Sequence, residues 1–299
     1  MAFFTLTQVR ELLATHGLAA RRRFGQNFLI DRNVRDKIVD LAGVSRSDIV
    51  VEIGPGLGAL TESLLERAAA VYAFEIDPSL CRILRERFGG AAGFHLFEQD
   101  FLATGRRWWE RLPRPAVVVA NTPYHLSTAI VSHLLTVRHR VARALLTVQR
   151  EVGERLVARP GSPSYGILSV LLALYADARI CYALSRQVFY PTPEVTSVVV
   201  RIEPRRAPLV PPESEEAFRE FLPLVFHCRR KMLANVAVHT FGVEKQVFAA
   251  ALGEMGISPS ARIGELSPEQ IWGIFSRAGV TRCRRRSGRR ARASQPQGV

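Results

Sequence analysis

Four sets of residues have types and spacings suited to chemistry, and the most specific is Asn121-Thr122-Pro123-Tyr124, directly after the apolar run Ala116 to Ala120. Asn121 offers a carbonyl acceptor and an NH₂ donor. Pro123 fixes the local backbone, so the carbonyls before it point one way. Tyr124 supplies a flat face for stacking. These are the parts needed to hold the exocyclic amine of an adenine. A strand-to-helix turn with a buried Tyr uses the same four residues, so the tetrapeptide alone does not decide.

The other three sets lie upstream. Gly54-Pro55-Gly56-Leu57-Gly58 follows Ile49 to Ile53, and its glycines let backbone pass close to a ligand where a Cβ would clash. Glu75 lies about 20 residues beyond that loop, where an acidic strand end accepts hydrogen bonds from ribose hydroxyls. Asp100 follows Phe94 to Phe97 and can accept from the amine of a bound adenine, with Phe101 packing on the ring. A helix N-cap is the plain alternative for Asp100. No third glycine completes a dinucleotide fingerprint, and Glu52 just before the loop discourages a pyrophosphate. A zwitterionic amino-acid moiety tolerates that acid, so S-adenosylmethionine fits better than NAD.

These residues need elements to hold them. Val117, Val118 and Val119 are β-branched without alternation, which predicts a parallel strand covered on both faces. Ile49 to Ile53, Val71 to Phe74 and Phe94 to Phe97 predict three more strands, with a helix over Ala59 to Arg67 completing a βαβ unit. All four sets then sit at carboxyl strand ends, the edge where open α/β sheets bind ligands. Asp31 is expected to cap a helix running to Ala42. Further along come a helix over Ser127 to Leu135, a strand over Ala144 to Val148 and a helix starting at Gln149. A buried apolar element over Ile167 to Ala176 and a strand over Ser197 to Ile202 follow. Pro204 to Pro212 marks a linker. Beyond it the apolar spacing is helical, with Arg229-Arg230-Lys231 expected on a helix and suited to phosphates.

The 299 residues carry a formal net charge of +14, which favours a polyanionic partner. Nearly all the cations are Arg; Lys stands only at 37, 231 and 245. Cys81, Cys181, Cys228 and Cys283 form no C-x-x-C pair, so no metal is expected, and reduced thiols suit the cytoplasm. No apolar run is long enough to span a bilayer, which predicts a soluble protein with no membrane partner.

Several motifs recur together in order: Phe24-Gly25-Gln26-Asn27-Phe28-Leu29, Glu52-Ile53-Gly54-Pro55-Gly56, Glu75-Ile76-Asp77, Gln99-Asp100 and Asn121-x-Pro123-Tyr124. Pro160-Gly161 with Tyr165-Gly166 and Leu168-Ser169-Val170, Phe189-x-Pro191-x-Pro193-x-Val195-x-Ser197 and Arg229-Arg230-Lys231 complete the set. The chain resembles the ribosomal RNA adenine N6-dimethyltransferases, most of all the bacterial small-subunit type, over roughly Ala19 to Gly279. The resemblance implies an α/β fold, a Rossmann-like S-adenosylmethionine methyltransferase sheet with a small C-terminal all-helical domain. Its expected divisions are 1–206 for the methyltransferase domain with a basic N-terminal arm, 207–281 for a helical RNA-binding domain, and 282–299 for a disordered Arg-rich tail.

The implied activity is dimethylation of two adjacent adenines near the 3′ end of 16S rRNA, within a precursor of the 30S subunit, by a monomer. Implied cofactor-binding residues are Asn27, Leu29, Gly54, Gly56, Glu75, Ile76, Asp100, Phe101 and Asn121. Asn121 and Tyr124 would also hold the target base, with Phe189 as its opposite wall. Arg21, Arg22, Arg23, Arg229, Arg230 and Lys231 would contact RNA. Thr122 departs from the usual Leu or Ile, which puts local packing in question. The rivals are dimethyltransferases of the macrolide-resistance type acting on 23S rRNA, DNA adenine methyltransferases, from which position 122 departs by lacking Pro, and a mainly non-catalytic ribosome-assembly factor.

Overall fold

The apolar strand that carries the Asn121 motif lies at the middle of a seven-stranded sheet, where both faces need covering. The computed structural model describes residues 5–18, 26–236 and 244–277. In chain order the first part holds α1 (Leu6–Thr15), β1 (Phe28–Leu29), α2 (Arg32–Ala42), β2 (Ile49–Ile53), α3 (Ala59–Arg67) and β3 (Ala70–Glu75). Then come α4 (Pro78–Phe88), β4 (Phe94–Glu98), α5 (Arg106–Glu110), β5 (Ala116–Asn121), α6 (Ser127–Thr136) and β6 (Val141–Gln149). The series closes with α7 (Arg150–Leu156), α8 (Ile167–Tyr175), β7 (Ala176–Leu184), β8 (Phe189–Tyr190) and β9 (Ser197–Pro204).

The sheet order is β4-β3-β2-β5-β6-β9-β7. The β4-to-β6 block is parallel, and β9 runs antiparallel to both β6 and β7. Val117 and Val119 point into a core with Val50, Leu145 and Val199, beneath Val34, Ile38 and Val39 of α2 and Leu60 and Leu64 of α3. Burial of each such side chain contributes about 1.5–3 kcal/mol. Local signals set the helix ends. Asp31 accepts from the Val34 N–H at 2.9 Å, and Gly43 closes α2 in the left-handed region. Asp77 caps α4, with Pro78 in its first turn. The parallel block thereby brings the ends of β2, β3, β4 and β5 to one edge.

The chain divides into two compact units, Met1–Pro211 and Pro212–Val299. The division falls inside the Pro204 to Pro212 stretch, later than 206/207. Residues 205–210 stay with the first unit because Arg205 N–H donates to the Tyr175 carbonyl at 2.8 Å and Val210 is buried. The second unit, taken by itself, is helical: α9 (Glu215–His227), α10 (Leu233–Val236), α11 (Lys245–Glu254) and α12 (Pro268–Arg277). Phe218, Phe221, Trp272 and Phe275 form its aromatic centre.

Arg229, Arg230 and Lys231 are not on a helix, contrary to expectation. The helix ends at His227, and the Lys231 N–H donates to the Cys228 carbonyl at 2.8 Å, so the three cations form a turn. The basic run Arg21 to Arg23 and the tail 282–299 lie outside the described residues. No described helix is long and apolar enough to cross a membrane.

Candidate active site

A cavity of about 300 Å³ opens at the carboxyl edge of the parallel strands. Asn27, Leu29, Gly54, Gly56, Glu75, Ile76, Asp100, Phe101, Asn121 and Tyr124 all line it, although they span nearly a hundred residues of sequence. Each strand end delivers one polar group.

After β2, Gly54, Gly56 and Gly58 all take positive φ, between 61° and 82°. Gly56 must be glycine for a second reason, since a Cβ there would press on the Phe28 ring at 3.2 Å. After β3, one Glu75 oxygen accepts from the Gly56 N–H at 3.1 Å, tying the loop to the next strand. The other accepts from the N–H groups of Ile76 and Asp77, at 2.9 and 3.0 Å. Burial pushes the Glu75 carboxyl pKa up, against those three donors. Ile76, 57% exposed, leaves an apolar face at the mouth.

Asp100 is the cap that its sequence allows, and it stands at the cavity wall. Its Oδ1 accepts from the Leu102 N–H at 2.9 Å and starts a short 3₁₀ turn, while the residue lines the cavity. Phe101 beside it is buried, edge-on to Phe74, Trp109 and His133 in an aromatic cluster.

At the end of β5 the Asn121 amide has a fixed orientation. Its Nδ2 donates to the Asn27 backbone carbonyl at 2.9 Å. A carbonyl only accepts, so the nitrogen must face it and Oδ1 is left as an acceptor. The N-terminal segment thus sets the rotamer of a residue 94 positions away. Tyr124 is steadied by a 2.8 Å hydrogen bond between its hydroxyl and the buried Ser197 Oγ at the start of β9. Burial raises the Tyr124 phenol pKa, so the ring stays neutral and keeps its proton.

Thr122 is accommodated by polar partners. Its hydroxyl donates to the Thr147 carbonyl at 2.7 Å and lies 2.8 Å from the Ser127 hydroxyl. The packing under the turn is therefore polar.

Phe189 is not where the sequence reading put it. It is 2% exposed, belongs to the core with Leu29 and Leu184, and does not line the cavity. Strand pairing explains this: Leu29 opposes Phe189 and Phe28 opposes Tyr190. Opposed residues share a face, so Leu29 and Phe189 enter one core while Phe28 and Tyr190 pack in the other.

Two contributors escape the sequence reading. Ser197 carries no signal beyond its place in the Phe189 motif. Gln26, whose Nε2 donates to Asp77 at 3.0 Å, clamps the segment before β1 onto α4.

The charge of the cavity is opposite to that of the chain. Glu52, Glu75, Asp77 and Asp100 line it, and no Lys or Arg does among the described residues. Such a site repels phosphates and suits a neutral or cationic ligand with ribose and adenine parts. The donor set therefore fits S-adenosylmethionine and excludes a pyrophosphate cofactor.

A family profile described as ribosomal RNA adenine dimethylase matches residues 17–279. A ribosomal RNA small subunit methyltransferase A from Moorella thermoacetica is 42% identical over 282 residues, 90% of this chain and 95% of the relative. The protein of that name from Enterococcus faecalis is 36% identical, covering 89% and 93%. Among solved structures, a dimethyladenosine transferase from Plasmodium falciparum superposes with a TM-score of 0.72 at 25% identity, over 83% of this chain and 96% of that one. The 23S rRNA methyltransferase ErmE gives 0.66 at 28%, over 84% and 98%.

Proposed function

Because the chain belongs to the ribosomal RNA adenine dimethylase family, we propose that it dimethylates N6 of two adjacent adenines near the 3′ end of 16S rRNA, on a small-subunit precursor. The supporting observation is the Asn121 amide, its oxygen left as an acceptor at the edge of a cavity that no Lys or Arg lines among the described residues. S-adenosylmethionine, when bound, supplies an electrophilic methyl group on a sulfonium. Glu75 and Asp100 would hold its ribose and adenine, and the Gly54–Gly58 backbone its amino-acid end.

The N6 lone pair of adenine is delocalised into the ring and is a poor nucleophile. Asn121 Oδ1 and the Thr122 backbone carbonyl would each accept one N–H of that amine. Two acceptors so placed favour a pyramidal nitrogen with its lone pair free. Tyr124, anchored by Ser197, would stack on the base and offset part of the few kcal/mol spent in leaving its RNA stack. Positioning carries most of the acceleration. The methylated nitrogen loses its proton readily to water, so no strong general base is needed.

Arg229, Arg230 and Lys231 are proposed to meet RNA phosphates. The likeness to ErmE keeps a large-subunit substrate as the rival, but the relatives named for the small subunit cover this chain at higher identity. Offering unmethylated 30S particles and free 23S rRNA side by side separates the two. Methyl incorporation on 30S alone is expected; incorporation on 23S rRNA alone would reverse the assignment.

A further inference from the structure

Glu52 sits near the carboxyl end of β2 and is 1% exposed, yet it lines the cavity. Its Oε2 accepts from the Thr61 hydroxyl of α3 at 2.7 Å, and its Oε1 has no partner among the described residues. Its strand neighbours Ala73 of β3 and Val119 of β5 are apolar. The other titratable groups of the cavity wall are Glu75 and Asp77 beyond β3, Asp100 beyond β4 and His125 beyond β5, and Glu75 is the charge that acts on Glu52. Arg35 of α2 is turned to Asp36 and Glu62, and Arg87 of α4 donates to the Leu57 carbonyl. Both guanidiniums are thus engaged elsewhere. A buried carboxylate with one hydroxyl donor and no cation costs several kcal/mol, so the group stays neutral until a positive charge arrives. An acid placed so is costly for the empty protein and useful only to a cationic ligand.

We propose that Glu52 is a proton-exchanging specificity residue: it holds a proton in the empty cavity and releases it to solvent when a cationic ligand enters, so that ligand binding is coupled to deprotonation. The balance is one O–H bond broken at the Glu52 carboxyl, one proton passed to water or buffer, and one carboxylate formed beside the ligand's charge. The inference rests on the S-adenosylmethionine assignment and deepens it, because it explains how an acidic, buried floor prefers a sulfonium or ammonium to a phosphate. Burial and the nearby Glu75 charge push the Glu52 pKa up to about 8, with Thr61 opposing. The proton is thus in place at neutral pH. Glu75 is held by three backbone donors, which favour its charged form, so the orphaned oxygen of Glu52 is the better seat for the exchange.

The test is titration calorimetry of the full-length protein with S-adenosylmethionine near pH 7, in two buffers of different ionisation enthalpy. The wild type is expected to release about one proton per ligand, with affinity rising by up to about tenfold per pH unit below pH 8. Glu52→Gln, which imitates the neutral acid and keeps the Thr61 bond, removes that component and cancels the ligand's own titration from the comparison. Equal release in the two proteins, or none in the wild type, overturns the proposal. Thr61→Val provides a second reading should Glu52→Gln fail to fold or bind. It deletes the donor that favours the charged form, so the midpoint of release moves to higher pH, and an unmoved midpoint contradicts the assignment. S-adenosylhomocysteine separates the two cations, since it keeps the ammonium and lacks the sulfonium. Full release with it assigns the ammonium, and reduced release the sulfonium. Absence of any S-adenosylmethionine binding by the wild type would instead overturn the cofactor reading itself.

Discussion

At the scale of single residues, the site is held by hydrogen bonds that reach it from distant sequence. Asn27 orients Asn121, and Ser197 holds Tyr124. Removing a positioning bond should act on the base and spare the cofactor. Ser197→Ala is expected to lower turnover on RNA by roughly 3- to 10-fold, matching the loss of one hydrogen bond of about 0.5–1.5 kcal/mol. The dissociation constant for S-adenosylmethionine, measured by calorimetry, should stay the same. A variant that loses cofactor affinity and keeps turnover would show that Tyr124 serves the cofactor instead.

At the scale of elements, the glycine loop and the helix after it act as one piece. Gly58 caps α3 at φ 82°, and a Cβ there would lie 2.4 Å from the Phe88 ring of α4. Gly58→Ala combines left-handed strain of about 1–2 kcal/mol with a clash against a packed ring. Denaturant unfolding should show a loss of roughly 2–4 kcal/mol in sum, with weakened cofactor binding as the loop shifts. Unchanged values of both would separate the loop from the cavity.

Much at this scale is legible in the chain. The β-branched run at 117–119, the Gly54 loop and the acidic strand ends each predict a strand edge, and together they predict the cavity. What stays hidden depends on partners. β7 covers 176–184 with mixed exposure, so no clean alternation marks it as a strand; pairing with β9 makes it one. The helix α4 is masked because Glu75-Ile76-Asp77 reads as a ligand site, although Asp77-Pro78 is also an ordinary helix start. Phe189 looks like a base wall in sequence, and only the pairing of β1 with β8 decides which way its ring turns. The cations at 229–231 follow a helical pattern that stops at His227.

At the scale of the whole molecule, charge is divided: the chain is strongly cationic, and its cavity is lined by acids. The first consequence concerns pH. Glu52 has a folded-state pKa of about 8 against an ordinary 4.5, so the stability from its bound proton is present below 4.5 and lost as pH rises through 8. Glu75, also raised, has the same sign. Urea unfolding of the unliganded protein should therefore show stability falling between about pH 5.5 and 7.5, by up to about 1.4 kcal/mol per unit from Glu52. Glu52→Gln should flatten that fall, and an equally steep variant would locate the linkage elsewhere.

The second consequence concerns RNA. Replacing Arg229, Arg230 and Lys231 with Ala should reduce the salt slope of RNA binding by about 0.7–0.9 for each phosphate that is no longer neutralised. An unchanged slope would take the turn out of the RNA footprint.

The account turns on one amide that presents an adenine amine above the cofactor cavity. Mass spectrometry of 16S rRNA, after unmethylated 30S particles are incubated with S-adenosylmethionine and either the wild type or Asn121→Ala, tests it most directly. The wild type should leave two methyl groups on each of two neighbouring adenines, and the variant should leave those bases unmodified. Full dimethylation by the variant would contradict the account.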